Sequence, residues 1–265
     1  MESKKIILCA DDFGQTAENS QGIAQLLAQQ RISATSCMTN CYQFVRQAPL
    51  LQRFLGKADI GLHFNLTHDD SLVTGEKFSG LPMLLLKSYS HLLSRNMLEK
   101  ELMAQITAFE KALGQLPDYI DGHQHIHQFP VIRDVLVNVY LRCYPKKDAY
   151  VRVLNFTPTN SKERILHFLG ANALQKLLDQ QDIPHNSSFA GIYNLSGMEN
   201  YRQLFQRFLA RSENNGIIMC HAGLASKDRS DPIIAARTNE YRYFLSEDFI
   251  RDCAEANAVI APLRF

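Results

Sequence analysis

Four short apolar runs in this chain end abruptly in acids or histidines, and that arrangement restricts the fold more than any other feature. Residues 6–10 run into Asp11-Asp12-Phe13-Gly14, and residues 59–62 run into His63. Residues 119–120 run into Asp121-Gly122-His123-Gln124-His125-Ile126-His127, and residues 216–220 run into His221. Runs this short and this apolar read as buried strands. Longer stretches with apolar residues at helical spacing lie between them, so strands and helices alternate. That order predicts an α/β fold with a mostly parallel sheet, open or closed. In such folds ligands collect at the carboxyl ends of the strands, where these polar clusters fall.

Strands are predicted over 4–10, 32–38, 59–66, 118–121, 150–154, 187–193, 216–220 and 259–263. Helices are predicted over 19–30, capped by Asn19 or Ser20, and over 44–55, 89–113, 161–181, 200–212 and 247–257, with another following Pro130. Residues 67–82 and 227–240 read as long loops without an assignable motif. The 265 residues show no repeat or linker, so one domain is expected over 1–265. That length suits a (β/α) barrel, which typically takes roughly 250 residues.

Net charge is +1, which gives no reason to expect a nucleic-acid or anionic-membrane partner. No uncharged apolar run approaches the ~20 residues of a transmembrane helix. The apolar segment before Asp11 is too short for a signal-peptide core, so a cytoplasmic location is expected. The six cysteines form no CxxC pair, and those within apolar runs read as buried thiols.

Asp11-Asp12 places two carboxylates directly after a strand. Neighbours in a strand point to opposite faces, so both serve one site only if the backbone turns there, which Gly14 makes easy. One acid can then bind a cation while the other stays free as a base. Asp12-Phe13-Gly14 also spells a kinase magnesium motif, but no kinase catalytic loop accompanies it. In 123–127 the period-two spacing would set three imidazoles on one side of an extended segment. Residues two apart in a strand lie roughly 6–7 Å apart, so one direct metal ligand is expected, with the others binding substrate or supporting the site. His221 is placed to act as a general acid near neutral pH. Arg152, near the end of another strand, is placed to orient a carboxylate.

Together these residues resemble the YdjC-like carbohydrate deacetylases. The family's A-D-D-F-G motif matches residues 10–14, its G-[LM]-H residues 61–63, and its D-[GS]-H-x-H-[VI]-H residues 121–127. Its M-C-H-P-G matches residues 219–223, with Ala222 where the family usually has proline. The resemblance implies a distorted TIM-like (β/α) barrel of the NodB/YdjC deacetylase type. It implies one divalent ion, magnesium or zinc, on Asp12, His63 and His123. It also implies Asp11 as general base, His221 as general acid and Arg152 beside the base, which leaves His125 and His127 to the substrate-binding or supporting roles expected from their spacing. The implied activity is metal-dependent removal of an N-acetyl group from an amino sugar or short oligosaccharide.

Other readings stay open. Amidohydrolase-type metal barrels usually place an HxH on the first strand, and here the acid pair comes first. A sugar-binding barrel that has lost catalysis would lack one of Asp11, Asp12, His63, His123 or His221, and all are present. A hydrolase of another acyl or phosphoryl group uses the same parts. A homodimer is expected only because two-fold dimers are the commonest oligomers.

Overall fold

A computed structural model describes residues 3–159, 161–226 and 231–263. Strands β1 (Lys4–Phe13), β2 (Ala34–Cys37), β3 (Asp59–Phe64), β4 (Tyr119–Gly122), β5 (Tyr150–Val151), β6 (Phe189–Ala190), β7 (Gly216–Cys220) and β8 (Ala258–Ile260) form one sheet. They run in the order β5-β4-β3-β2-β1-β7-β6, with β8 paired to the start of β1. Every ladder is parallel. The predicted α/β class is therefore observed, and the sheet curls into a barrel.

The barrel closes across one irregular seam between β5 and β6. Val151 N–H donates to the Pro184 carbonyl at 3.0 Å, and Phe189 N–H donates to Asn155 at 2.8 Å. The buried Asn186 side chain fills the remaining gap. Its Oδ1 accepts from Val153 N–H at 2.8 Å, and its Nδ2 donates to the carbonyls of Val153 and Ser188 at 2.9 Å each. The seam shortens the predicted strands 150–154 and 187–193 to two paired residues each.

Helices cover the outside: α1 (Ala17–Ala28), α2 (Tyr42–Gln47), α3 (Leu81–Tyr89), α4 (Arg95–Leu113), α5 (Ile132–Cys143), α6 (Ser161–Leu166), α7 (Asn172–Gln180), α8 (Tyr201–Arg211), α9 (Ile234–Leu245) and α10 (Glu247–Glu255). Thr16, rather than Asn19 or Ser20, caps α1 by accepting from Asn19 N–H. The expected helix 89–113 begins only at Arg95, because Ser94 caps it and Tyr89 ends α3. The expected helix 161–181 breaks at Gly170, whose φ of +110° and close approach to the Gln128 carbonyl exclude a side chain. The second half of the expected loop 227–240 belongs to α9, and residues 227–230 lie outside the described residues. Its inward residues include Arg237 and Glu240, so no apolar stripe marks it as a helix. No described helix is long and apolar enough to cross a membrane.

Strand alternation decides which side chains enter the barrel. In β1, Ile6, Leu8 and Ala10 pack outward beneath the helices, while Ile7 and Cys9 pack inward with Tyr119, Tyr150, Phe189, Ile217 and Met219. Tyr119 and Tyr150 stack there at 4.7 Å and 8°. The inward parity continues through Asp11 on β1, Ser36 on β2, His63 on β3, Asp121 on β4, Arg152 after β5 and His221 after β7. An apolar floor therefore carries a polar layer at the carboxyl ends of the strands. The cysteines are free, five of them buried and Cys143 half-buried.

Asn186→Ala is expected to destabilise the barrel by about 1–3 kcal/mol, since it strands buried backbone groups on both sides of the seam. Urea unfolding measures this, and an unchanged midpoint would show that the seam does not depend on the amide.

Candidate functional site

The polar layer opens into a cavity of about 800 Å³ lined by Asp11, Asp12, His63, His123, His125 and His221. A second cavity of similar size, about 810 Å³, lies where the strands begin. It is walled by Leu27, Phe54, Phe249 and Val259 and holds none of the predicted site residues.

Both members of the acid pair reach the first cavity because β1 carries a bulge. Ala10 pairs with Thr35 and Phe13 with Cys37, so Asp11 and Asp12 together oppose Ser36 alone. Asp12 sits at φ 70°, in the left-handed region, and Gly14 follows at φ 92°. Asp11 keeps the inward parity of Ile7 and Cys9. The extra residue turns Asp12 back towards the same side.

Arg152 is fully buried and grips Asp11 with both arms. Its Nη1 donates to Oδ2 at 2.8 Å and its Nη2 to Oδ1 at 2.7 Å. The same Nη2 lies 2.7 Å from Asp121 Oδ2. Burial by itself would raise the Asp11 carboxyl, but Arg152 and then His63 outweigh it and hold the group below the usual range. Ser36 Oγ adds a hydrogen bond to Asp11 Oδ1 at 3.0 Å.

His63 Nδ1 meets Asp121 Oδ1 at 2.6 Å, which leaves its Nε2 facing Asp12 Oδ1 at 3.4 Å. His123 Nδ1 lies 3.1 Å from the same Asp12 oxygen. Around a tetrahedral ion with bonds of ~2.0–2.1 Å, neighbouring N and O donors stand roughly 3.3 Å apart. Asp12, His63 and His123 therefore have the spacing to hold a divalent cation, all three donors lying within 4.8 Å of one another. Asp11, His63 and Asp121 also cluster this closely, but Arg152 already holds both carboxylates.

Charge supports the fit. Arg152 pairs with Asp11 and Asp121, Arg237 with Asp12 and Asp231, and His63 bridges the two sets; four carboxylates face two guanidiniums, an excess of two negative charges that a proton on His63 offsets only in part. Burial lowers the affinity of His63 for a proton, yet Asp121, Asp11 and Asp12 overcome this and raise its pKa to about 10. A cation among these donors would take that proton's place.

The 123–127 segment departs from the extended geometry expected of it. Gln124 and His125 adopt left-handed φ of 54° and 59°, so the three imidazoles fan apart. His123 joins the donor set. His125 lines the cavity edge-on to Phe189, with its buried Nδ1 unpartnered. His127 is fully buried and its Nε2 bonds the Arg152 carbonyl at 2.9 Å. It does not line the cavity, so the expectation that it touches substrate gives way to a supporting role for the turn after β5. Burial keeps both His125 and His127 neutral, His127 at about 4.

Sequence reasoning missed a group on and before α9. Arg237 Nη2 donates to Asp12 Oδ2 at 2.8 Å and to Gln15 Oε1 at 2.9 Å, its Nε donates to Asp231 at 2.7 Å, and its Nη1 reaches the His221 carbonyl at 3.2 Å. Glu240, fully buried, accepts from His221 N–H and from the Tyr193 hydroxyl. Together they fix both sides of the His221 backbone. Burial lowers the His221 pKa to about 4 against the pull of Asp12 and Asp11, and Arg237 adds to the lowering. Ser36 and Asp121 were equally unassigned, although their strand parity was a usable signal.

The sequence profile of a family described as YdjC-like protein matches residues 5–255. A carbohydrate deacetylase from Danio rerio is 29% identical over 178 residues, covering 60% of this chain and 55% of that protein. The match thus spans about half the length of that relative. A chitooligosaccharide deacetylase from Yersinia enterocolitica is 26% identical over 235 residues, 84% of this chain and 83% of the relative. A solved structure from Enterococcus faecalis V583, provisionally named a cellobiose-phosphate cleavage protein, shares the fold. Its TM-score is 0.72 at 19% identity, covering 98% of each chain.

Two measurements test the site. Asp12→Asn is expected to weaken zinc binding by more than the roughly 10–100-fold that loss of a supporting partner costs, read by calorimetry. Unchanged affinity would assign the ion elsewhere. Burial raises the Glu240 carboxyl from 4.5 to about 7. Between these values the native state keeps a proton that the unfolded chain has lost, so this group makes stability fall as pH rises. Glu240→Gln removes that term. Urea unfolding should show the variant gaining on the parent, by on the order of 3 kcal/mol, from pH 4.5 to 7.5. Parallel stability profiles would contradict the raised carboxyl.

Proposed function

Because this chain belongs to the YdjC-like protein family, we propose that its cavity hydrolyses the N-acetyl group of an amino sugar or short oligosaccharide, releasing acetate and a free amine. The observation that carries this reading is the placement of Asp11 and His221 on the wall of one cavity around the Asp12, His63 and His123 donors. The curated relatives named as carbohydrate and chitooligosaccharide deacetylases support the substrate class.

One carboxylate and two imidazoles suit zinc better than magnesium, which prefers an oxygen shell. Such an ion, when bound, supplies Lewis-acid polarisation of the acetyl carbonyl and acidifies water. Asp11 takes the proton of the attacking water. Its Oδ2 accepts a described hydrogen bond from Arg152 Nη1 alone, whereas Oδ1 also serves Ser36, so Oδ2 has the spare capacity. Arg152 keeps Asp11 ionised and oriented. His221 takes up a proton from solvent as negative charge develops beside it and passes that proton to the departing amine nitrogen, while Asp11 later returns the water proton to solvent. It is neutral at rest, and negative charge developing at the reacting centre raises its affinity for the proton it must pass on. Glu240 and Arg237 hold its backbone while it does so. His125, neutral and with a free buried nitrogen, contacts the sugar.

Asp11→Asn and His221→Ala are each expected to lower kcat by roughly 10²–10⁴-fold, the usual weight of general acid–base steps. The assay is acetate release from N-acetylglucosamine, its short β-1,4 oligomers and N-acetylglucosaminyl lipids, with and without chelator. Parent-like turnover in either variant would remove that residue from the mechanism. A folded, zinc-loaded protein releasing no acetate from any of these would favour a sugar-binding barrel.

A further inference from the structure

A second cluster of metal-ligating side chains lies at the cavity rim, outside the machinery described above. Cys41 follows β2 and caps α2, and it is buried with 2% exposure. His68 and Asp69 lie in the loop after β3 and line the cavity. One donor from each of the three lies within 4.8 Å of the others. Cys41 Sγ stands 4.0 Å from His68 Nδ1, and His68 Nδ1 stands 3.2 Å from Asp69 Oδ1. For a tetrahedral zinc with a Zn–S bond of ~2.3 Å and Zn–N or Zn–O bonds of ~2.0–2.1 Å, those edges are roughly 3.6 and 3.3 Å. Small side-chain adjustments would close the difference.

We propose that Cys41, His68 and Asp69 form a second cation site at the cavity mouth, selective for thiophilic divalent ions of the zinc class. The thiolate makes the choice, since sulfur ligands favour zinc over magnesium or calcium. The loop is braced for this task by side chains that are not donors. Asn65 Oδ1 accepts from the N–H groups of Thr67 and His68, both at 3.0 Å, while its Nδ2 donates to the His68 carbonyl and to Asn40. Asn40 Nδ2 donates to the carbonyls of His68 and Asp70, both at 3.1 Å. His68 and Asp69 therefore arrive beside Cys41 on a fixed backbone, although their side chains are each 42% exposed.

Binding would form one S–metal, one N–metal and one O–metal bond and release the thiol proton to solvent. Thiolate and carboxylate then neutralise the dication. A fourth position remains for water or a substrate oxygen. The His68 ring lies 6.3 Å from the His123 ring, edge to face, so this ion would sit beside the first donor set and narrow the mouth of the cavity.

Cobalt(II) substitution distinguishes the two sites, because only a thiolate ligand produces sulfur-to-cobalt charge-transfer absorption in the near ultraviolet. Asp12, His63 and His123 contain no sulfur. Titration of the reduced full chain with cobalt is expected to produce that band, and Cys41→Ser is expected to abolish it and remove one equivalent of bound zinc. The His68→Ala change, at a half-exposed side chain and so of little risk to folding, is expected to weaken the band's titration at least tenfold. His63→Ala is expected to keep the band, so failure of the deacetylase reading leaves this test intact. Absence of the band at saturating cobalt, or its persistence in Cys41→Ser, would overturn the proposal.

Discussion

The structure depends on one extra residue in the first strand. Without the bulge, alternation would send Asp11 into the barrel and Asp12 out beneath α1. With Asp12 at φ 70°, both carboxylates face the same cavity, one against Arg152 and the other against His63, His123 and Arg237. A left-handed non-glycine residue costs roughly 1–2 kcal/mol, although aspartate tolerates it better than most. Such strain persists only where the surroundings over-determine it. Here a guanidinium and two imidazoles hold the Asp12 carboxylate.

The second constraint is electrostatic. Burying four carboxylates is costly unless each is paired. Arg152 spans Asp11 and Asp121, while Arg237 spans Asp12 and Asp231. Neither arginine is a surface residue reaching inward. Arg152 is fully buried and Arg237 is 2% exposed. Each carries its partners' positions with it, so the two sides of the site are set by rigid forks rather than by flexible loops. The residual negative charge makes the same pocket receptive to a divalent cation, and the neutral His125 and His221 complete a wall that can bind a polar but uncharged ligand. Nothing in this arrangement requires the proline that the family usually places after His221. Ala222 is fully buried, and Arg237 and Glu240 already anchor the His221 backbone from both sides.

Much of this was legible before the fold was seen. The apolar runs ending at Asp11, His63, Asp121 and His221 became β1, β3, β4 and β7, and their polar ends meet at one mouth. Local pattern sufficed because each run is short, buried on both faces and followed at once by a charge. Where pattern misled, a tertiary contact had overruled it. The 123–127 segment has a strand's spacing, but the chain turns left-handed at Gln124 and His125, and His127 packs against the Arg152 carbonyl instead of the substrate space. Residues 150–154 look like a strand, but the seam leaves two paired residues and gives the rest of the closure to the Asn186 amide. Helix α9 was invisible because its buried face carries an arginine and a glutamate whose partners lie more than 200 residues earlier in one case and just after β7 in the other.

By itself the sequence determined the alternation of strand and helix, the strand parity, and therefore the layer in which Asp11, His63, Asp121 and His221 would lie. Those properties follow from hydrophobic periodicity, which is local. Only the tertiary structure decided which nitrogen of His63 faces Asp12, which carboxylate Arg152 clamps, and that Arg237 and Glu240 belong to the site at all. These are matters of distances between side chains far apart in the chain, and no spacing along the sequence encodes them. The doublet Asp11-Asp12 stands on the boundary. Its composition announced a turn, but the pairing of two residues against Ser36 alone, which aims both acids at one cavity, exists only once β1 and β2 have met.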